Sequence, residues 1–390
     1  MLQKSKKEKR FNFFTKGAID YTILVVTILL LCLGIIMVLS ASAPHSLSES
    51  DNSYSYVIKQ AVSAALGLIA MYAFSKVDYR IYRKLKWPIY ISMICLLFMV
   101  SISGLSEGGA TRWSNIAGMN FQASEIAKIG FIIVFASYLS DVKENGKIKN
   151  ILYGCIIPVM MLVPVAGIIF GLQNHFSATF IIVAITSIQM FVAGTRVSHL
   201  LLVGIGGLII LLGGIKIKDL IQGGAQEKTA NFRSTRIQTW LDPFSDPTGD
   251  GYQIIQSLYA IGSGGLFGLG LGNSKQKYLY LPEPHNDFIF AVLAEELGFF
   301  GCIFVILLFV IFIWRGIVIA MKAPDNFGTL IAIGIVTMIG LQALINIAVV
   351  TGTIPVTGMP LPFFSYGGTA IAVNLGTVGI LLNISRNSNK

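Results

Sequence analysis

Asp287 stands at the mouth of an otherwise apolar stretch, within Leu281-Pro282-Glu283-Pro284-His285-Asn286-Asp287-Phe288-Ile289-Phe290-Ala291. A carboxylate at the edge of hydrocarbon is costly, and its default reading is functional. The pattern predicts a helix starting near Asn286, with Asp287 in its first turn, where the macrodipole favours an anion. There Asp287 can act as a general base toward a hydroxyl, or as a cation ligand. The plain alternative is an N-terminal helix carboxylate with a structural duty. His285 could orient that carboxylate or a substrate, and Glu283 is a second acid in the same loop. Glu295 and Glu296 lie deeper, turned from the Asp287 face by about 80° and about 180°. The three acids therefore do not line one cavity, and Glu296 is expected to pair structurally with a basic group on a neighbouring helix.

A second polar group opens the fourth apolar segment: Arg112-Trp113, then Gln122-Ala123-Ser124-Glu125-Ile126-Ala127-Lys128. Ser124 is the expected N-cap. Glu125 and Lys128 fall i, i+3 on one helix face and can satisfy each other. Alternatively, Lys128 and Arg112 can bind a diphosphate, which suits an ammonium and a guanidinium fork. Arg233, Arg236, Lys275 and Lys277 add positive charge on the same side; together they would suit an anionic lipid head group. The glycine run 262–272 matches neither GxGxxG nor GxxxxGK[ST], so it does not predict a nucleotide site. Cys32, Cys95, Cys155 and Cys302 lie inside apolar segments without metal or disulfide spacing.

The elements that must position these groups are membrane helices. The chain has 390 residues, 54% hydrophobic and 12% charged, with mean hydropathy +0.72; a soluble domain carries roughly 25% charged residues. Ten apolar segments of spanning length are predicted, at about 19–41, 57–75, 87–104, 124–140, 151–170, 176–194, 198–214, 287–314, 327–351 and 366–384. The fold expected is an all-α polytopic membrane protein, a single domain over 1–390 with both termini cytoplasmic. The first segment is too long for a signal h-region and is read as an uncleaved helix behind a basic tail, 1–18. The net charge of +10 falls mostly in short loops of one side, as the positive-inside rule expects, and predicts no nucleic-acid partner. The segment 215–286 is a large outer loop whose aromatic and turn residues predict an ordered cap. Pro158 and Pro164 predict a kink. Residues 352–368, rich in Gly and Pro, predict irregular backbone at the outer surface, sheltered by protein or a wet cavity.

With these residues in view, the chain resembles the shape, elongation, division and sporulation (SEDS) family of polytopic peptidoglycan glycosyltransferases, and its FtsW-like branch most. The likeness runs along nearly the whole chain. It rests on residues 34–42, Arg112-Trp113 with 122–128, Leu241-Asp242-Pro243-Phe244-Ser245-Asp246-Pro247 and residues 251–257. It continues through 260–265, 281–298, Asn346, Gly352, 355–358, 361–363 and Ser365-Tyr366-Gly367-Gly368. The resemblance implies polymerisation of lipid II, the undecaprenyl-diphosphate-linked disaccharide pentapeptide, on the outer face of the bacterial cytoplasmic membrane, at the division septum. Asp287 matches the family's essential aspartate, which would activate the acceptor hydroxyl in an inverting transfer. The implied substrate-binding set is Arg112, Lys128, Glu125, His285, Glu283, Arg236, Lys275 and Ser365. A divalent cation, Mg or Mn, would be compatible; no organic cofactor and no dedicated metal cage are expected. The implied partners are the nascent glycan, a class B penicillin-binding protein and other division proteins.

Two departures stand out. Gln122-Ala123-Ser124-Glu125 replaces the family's common Gln-Pro-Ser-Glu. Asn174-His175-Phe176-Ser177-Ala178-Thr179 replaces a stretch with an acidic residue at the His175 position, so that carboxylate's role is not carried over. Two other readings compete: a lipid II flippase, which needs polar groups along the whole membrane depth, and a non-enzymatic scaffold of the division machinery.

Overall fold

The apolar composition dictates a bundle whose helices satisfy their own backbone hydrogen bonds. In the computed structural model, residues 18–388 are described, apart from 51, 104, 108–109, 117–118, 203, 205–237, 250 and 279. The helices are α1 (Tyr21–Ser50), α2 (Ser55–Lys76), the short α3 (Arg80–Lys84), α4 (Lys86–Ser103), α5 (Ala123–Glu144), α6 (Ile157–Gly167) and α7 (Phe176–Ala193). They continue with α8 (Tyr252–Gly264), α9 (Ile289–Met321), α10 (Asn326–Val350) and α11 (Gly368–Asn387). Eight helical stretches are long and apolar enough to span a membrane, and Lys86–Ile102 is apolar but shorter. Nine of the ten predicted segments thus meet a helix; the seventh, 198–214, lies largely outside the described residues.

The proline-bearing fifth segment departs from a regular α-helix. Turns of π-helix, Leu152–Ile156 and Ile168–Leu172, flank α6, which holds Pro158 and Pro164. Proline lacks an N–H, so the ordinary ladder cannot continue unbroken there. A small antiparallel sheet that the hydropathy pattern did not reveal joins α4 to α5, in the order β1 (Leu105–Glu107), β2 (Ala110–Ile116), β3 (Met119–Gln122), with Trp113 opposite Gln122. Small residues bring α2 and α11 into close packing: a side chain at Gly379 would strike the Met71 backbone, and one at Gly67 would strike Leu375 and Ala372.

The two ends of the bundle differ in chemistry. At one end, Arg80 binds Asp325 at 2.9 Å, Arg83 binds Asp141 and Glu144, and Arg315 binds Asp20 at 2.8 Å. These are the segments predicted to be cytoplasmic, now gathered together. Asp325 also caps α10, accepting the Gly328 N–H at 2.8 Å. At the other end lie Asp287, the sheet and the outer loop. Within that loop, the described residues 238–249, 251–278 and 280–286 include groups bonded to the bundle: the Trp240 indole donates to Gly352 O, and Ser257 Oγ to Val350 O.

The glycine run has a structural purpose. Gly298 breaks α9 with φ 67° and ψ −167°, freeing carbonyls that would otherwise be bonded within the helix. The loop after α8 fills this break. Leu269 N–H donates to Glu295 O and Gly270 N–H to Glu296 O, while the Phe299 and Phe300 N–H groups donate to Gly265 O and Leu266 O. A Cβ at Gly298 would collide with the Gly268 and Leu266 backbone. Gly298→Ala is therefore expected to cost about 1–3 kcal/mol from the positive φ, with more from the collision. The check is a lower thermal midpoint in detergent, whereas Gly262→Ala, with open space at its Cβ, leaves it near wild type.

Candidate functional site

Asp287 lies two residues before α9 begins at Ile289, with Phe288 as the cap position. It is thus in the loop itself, not in the first helical turn as predicted, because the chain turns through 283–288 before the helix starts. The residue is partly exposed. Beside it runs the irregular segment: a Cβ on Gly358 would sit 3.3 Å from Asp287 Oδ2, and Gly358 has φ +67°. Glycine there meets the backbone demand and keeps the space beside the carboxylate clear.

Hydrogen bonds tie the Asp287 loop and the 357–359 segment to the ends of α7 and α10. Ser177 Oγ, at the start of α7, donates to Thr357 O at 2.8 Å. Asn346 Nδ2, on α10, donates to Asp287 O at 2.7 Å and to Met359 O at 2.6 Å. One turn deeper on the same face of α10, about 6 Å along the axis, Gln342 Nε2 reaches Glu125 Oε2 at 3.5 Å. Glu125 and Lys128 form the expected i, i+3 ion pair at 2.8 Å, with side chains 2% and 1% exposed. Among the described residues that is the one hydrogen bond of Lys128 Nζ, which has three donors. Ser124 does not cap α5, since Gln122 holds that position; its Oγ instead lies 3.3 Å from His175 Nδ1. His175 is buried, so the position that departs from the SEDS pattern adjoins this polar group.

Before Asp287, the loop is packed and bonded. Glu283 has φ 51° and an exposed side chain bonded to the Asn286 amide. His285 is buried amid three rings, with centroids 4.8 Å from Tyr56, 5.3 Å from His45 and 5.8 Å from Tyr366. Burial pushes the Tyr366 phenol above its ordinary range. Ser365 Oγ donates to Asn286 O and accepts the Leu361 N–H, both at 2.7 Å.

The cations predicted for a lipid head group do not all face solvent. Lys277 is buried: its Nζ binds Glu296 Oε1 at 2.9 Å, Ser40 Oγ at 3.0 Å and Gly272 O at 2.6 Å. Glu296 thus has its structural partner, but from the loop rather than from a neighbouring helix. Glu295 accepts the Ser274 hydroxyl and the N–H groups of Lys275 and Gln276. Lys275 itself is exposed. The backbone at Arg112 belongs to β2, beside the Trp113–Gln122 pair; its side chain, like Arg236, lies outside the described residues. No group of three His, Cys, Asp or Glu side chains suited to a metal occurs among the described residues. A cavity of about 440 Å³ lined by Arg80, Arg83, Lys84, Lys86, Asp141, Asp325 and Phe327 lies at the opposite end of the bundle, within its ionic network.

Residues 21–390 match the family of cell cycle proteins comprising FtsW, RodA and SpoVE. The chain belongs to that family. It is 41% identical over 377 residues to stage V sporulation protein E of Bacillus subtilis strain 168, covering 96% of this chain and 98% of that one. It is 38% identical over 368 residues to the probable peptidoglycan glycosyltransferase FtsW of Geobacter sp. strain M18, covering 94% and 96%. Two solved structures share the fold. One is from a peptidoglycan synthase complex described as coordinating polymerization and crosslinking, with TM-score 0.72, 26% identity and coverage of 95% of this chain and 98% of that one. The other is the rod shape determining protein RodA of Thermus thermophilus, with TM-score 0.69, 25% identity and coverage of 96% and 98%.

Within this FtsW, RodA and SpoVE frame, the structure adds residues that the sequence reading did not single out as site groups. Gln342 and Asn346 are two carboxamides four residues apart in the otherwise apolar α10, a spacing that puts both on one helix face. That signal was available in the sequence. Gly358, Tyr56 and His45 carry no such local signal, because only the packing of α1, α2 and the 352–367 segment brings them to the loop.

Proposed function

We propose that this chain is a peptidoglycan glycosyltransferase that polymerises lipid II at the outer face of the bacterial cytoplasmic membrane, for cell division or sporulation. The observation that carries this reading is the placement of Asp287. It is a partly exposed residue whose carboxylate lies beside a space kept clear by Gly358, at the end of the bundle opposite the ionic network. Its family relatives include proteins named for this activity.

Asp287 would accept the proton of the acceptor GlcNAc 4-hydroxyl as that oxygen attacks C1 of the donor MurNAc. The bond from C1 to the phosphate oxygen breaks, the configuration at C1 inverts and undecaprenyl diphosphate leaves. The leaving group is already anionic, so positive charge aids its departure more than a proton does. Lys128 would supply positive charge, with Arg112, Arg236 and Lys275 as further cations. Glu283, His285 and Ser365 would shape the acceptor side. Asp287 would be the residue to hold a divalent cation, which would supply charge stabilisation toward the leaving diphosphate. A class B penicillin-binding protein is the proposed partner, in keeping with the synthase complex of similar fold.

The flippase reading is less well supported. Near Asp287 the polar groups occupy one end of the bundle, and the deeper Glu296 is closed off by Lys277. The experiment is glycan synthesis from purified lipid II by the full-length chain with its penicillin-binding protein, in moenomycin to silence classical polymerases. A glycan ladder is expected. Its absence from a folded protein that still binds lipid II would overturn the proposal.

A further inference from the structure

Three consecutive carbonyls lead into and include Asp287, and each is held by a donor from outside the loop: two from the adjacent residues Ser365 and Tyr366, one from α10. His285 O accepts the Tyr366 N–H at 2.8 Å. Asn286 O accepts from Ser365 Oγ at 2.7 Å, and Asp287 O accepts from Asn346 Nδ2 at 2.7 Å. The loop has no helical or sheet ladder here to fix it, since α9 starts only at Ile289. A loop without a ladder keeps its conformation only where other groups over-determine it. We infer that Asn346 and Ser365 are positioning residues for the Asp287 carboxylate: they clamp the loop's carbonyls and set where its side chain points, without touching substrate.

Both side chains are built into that duty. Asn346 is 1% exposed and Ser365 4% exposed. Asn346 divides its amide between Asp287 O and Met359 O, so it ties the aspartate to the segment carrying Gly358, which borders the carboxylate. Ser365 uses its hydroxyl twice, accepting the Leu361 N–H while donating to Asn286 O. Gln60 completes the scaffold by donating to Ser365 O at 3.1 Å and accepting the Gly367 N–H. The donors therefore sit in a frame fixed by α2 and α10, and the loop is the part being fixed. For Ser365 this replaces a substrate-binding role with a positioning one.

The inference rests on Asp287 being the base of the proposed polymerase, so the test separates the two. The variants are Asn346→Leu, Ser365→Ala and the weaker-donor Ser365→Cys, beside Asp287→Asn. Each is assayed as the full-length chain with its penicillin-binding protein for kcat and KM on lipid II, for lipid II binding, and for thermal midpoint. A carboxylate displaced by about 1 Å costs on the order of 100-fold in rate. Asn346→Leu and Ser365→Ala are expected to lower kcat by about 10- to 100-fold, with KM and lipid II binding within about threefold, and Ser365→Cys should fall between Ser365→Ala and wild type. If Asp287→Asn is inactive while Asn346→Leu and Ser365→Ala keep wild-type kcat, the clamp is wrong and the base stands. If Ser365→Ala raises KM at unchanged kcat, Ser365 contacts substrate and the clamp is likewise wrong. If Asp287→Asn polymerises normally, the underlying reading fails. Should Asn346→Leu not fold, the graded order Ser365→Ala, Ser365→Cys, wild type decides alone: a kcat that does not follow it overturns the inference.

Discussion

Asp287→Asn is expected to lower glycan polymerisation by about 10²- to 10⁴-fold, the usual contribution of a positioned general base. The substitution keeps the size of the side chain and removes its capacity to take a proton. The bonds from Tyr366, Ser365 and Asn346 that hold the loop go to backbone carbonyls and are kept in the variant. The variant should therefore fold, reach the membrane and bind lipid II. Asp287→Glu keeps the carboxylate but moves it outward by one C–C bond, about 1.5 Å, into the space beside Gly358. It should recover little activity, since a misplacement of that size costs on the order of 100-fold. Paired measurements of kcat and lipid II affinity check both statements. Wild-type turnover by Asp287→Asn would remove the base from the mechanism.

The largest stability effect is expected at Lys277. Its ammonium and the Glu296 carboxylate are 4% and 0% exposed, and Glu296 Oε2 has no hydrogen-bond partner among the described residues. Lys277→Met removes the compensating charge and leaves a carboxylate buried among helices, which costs about 3–5 kcal/mol. Removing both charges differs physically. Lys277→Met with Glu296→Leu leaves no charge to compensate, so the double variant should recover most of the lost stability. Thermal midpoints of the three proteins in one detergent check this; a single variant as stable as wild type would show that the pair is not closed off from water. The loss should reach catalysis too. Glu295 and Glu296 anchor residues 274–277, and that anchored stretch leads directly to the Asp287 loop.

Much of the fold could be read from the chain because the membrane enforces a simple rule. Apolar runs of about 20 residues must be helices, and nine predicted segments met one. Backbone geometry that depends on distant partners could not be read this way. Gly298 breaks an apolar run that looks continuous, and the break is stable only because the 264–270 loop bonds into it. The same dependence hid the purpose of the glycine run. Composition marked Lys277 as a surface cation, but the fold buries it against Glu296. In the site, Asp287 and the Glu125–Lys128 pair were legible from charge inside apolar sequence. Gln342 and Asn346 were legible as two carboxamides on one face of an apolar helix, but the two backbone carbonyls that Asn346 serves left no trace in sequence.

The most direct measurement is the release of undecaprenyl diphosphate from lipid II by the purified chain with its penicillin-binding protein, counted against glycosidic bonds formed, with moenomycin present and Asp287→Asn alongside. One lipid diphosphate per bond, absent in Asp287→Asn, is the expected result. Movement of lipid II across a vesicle bilayer with no diphosphate released and no bond formed would contradict it.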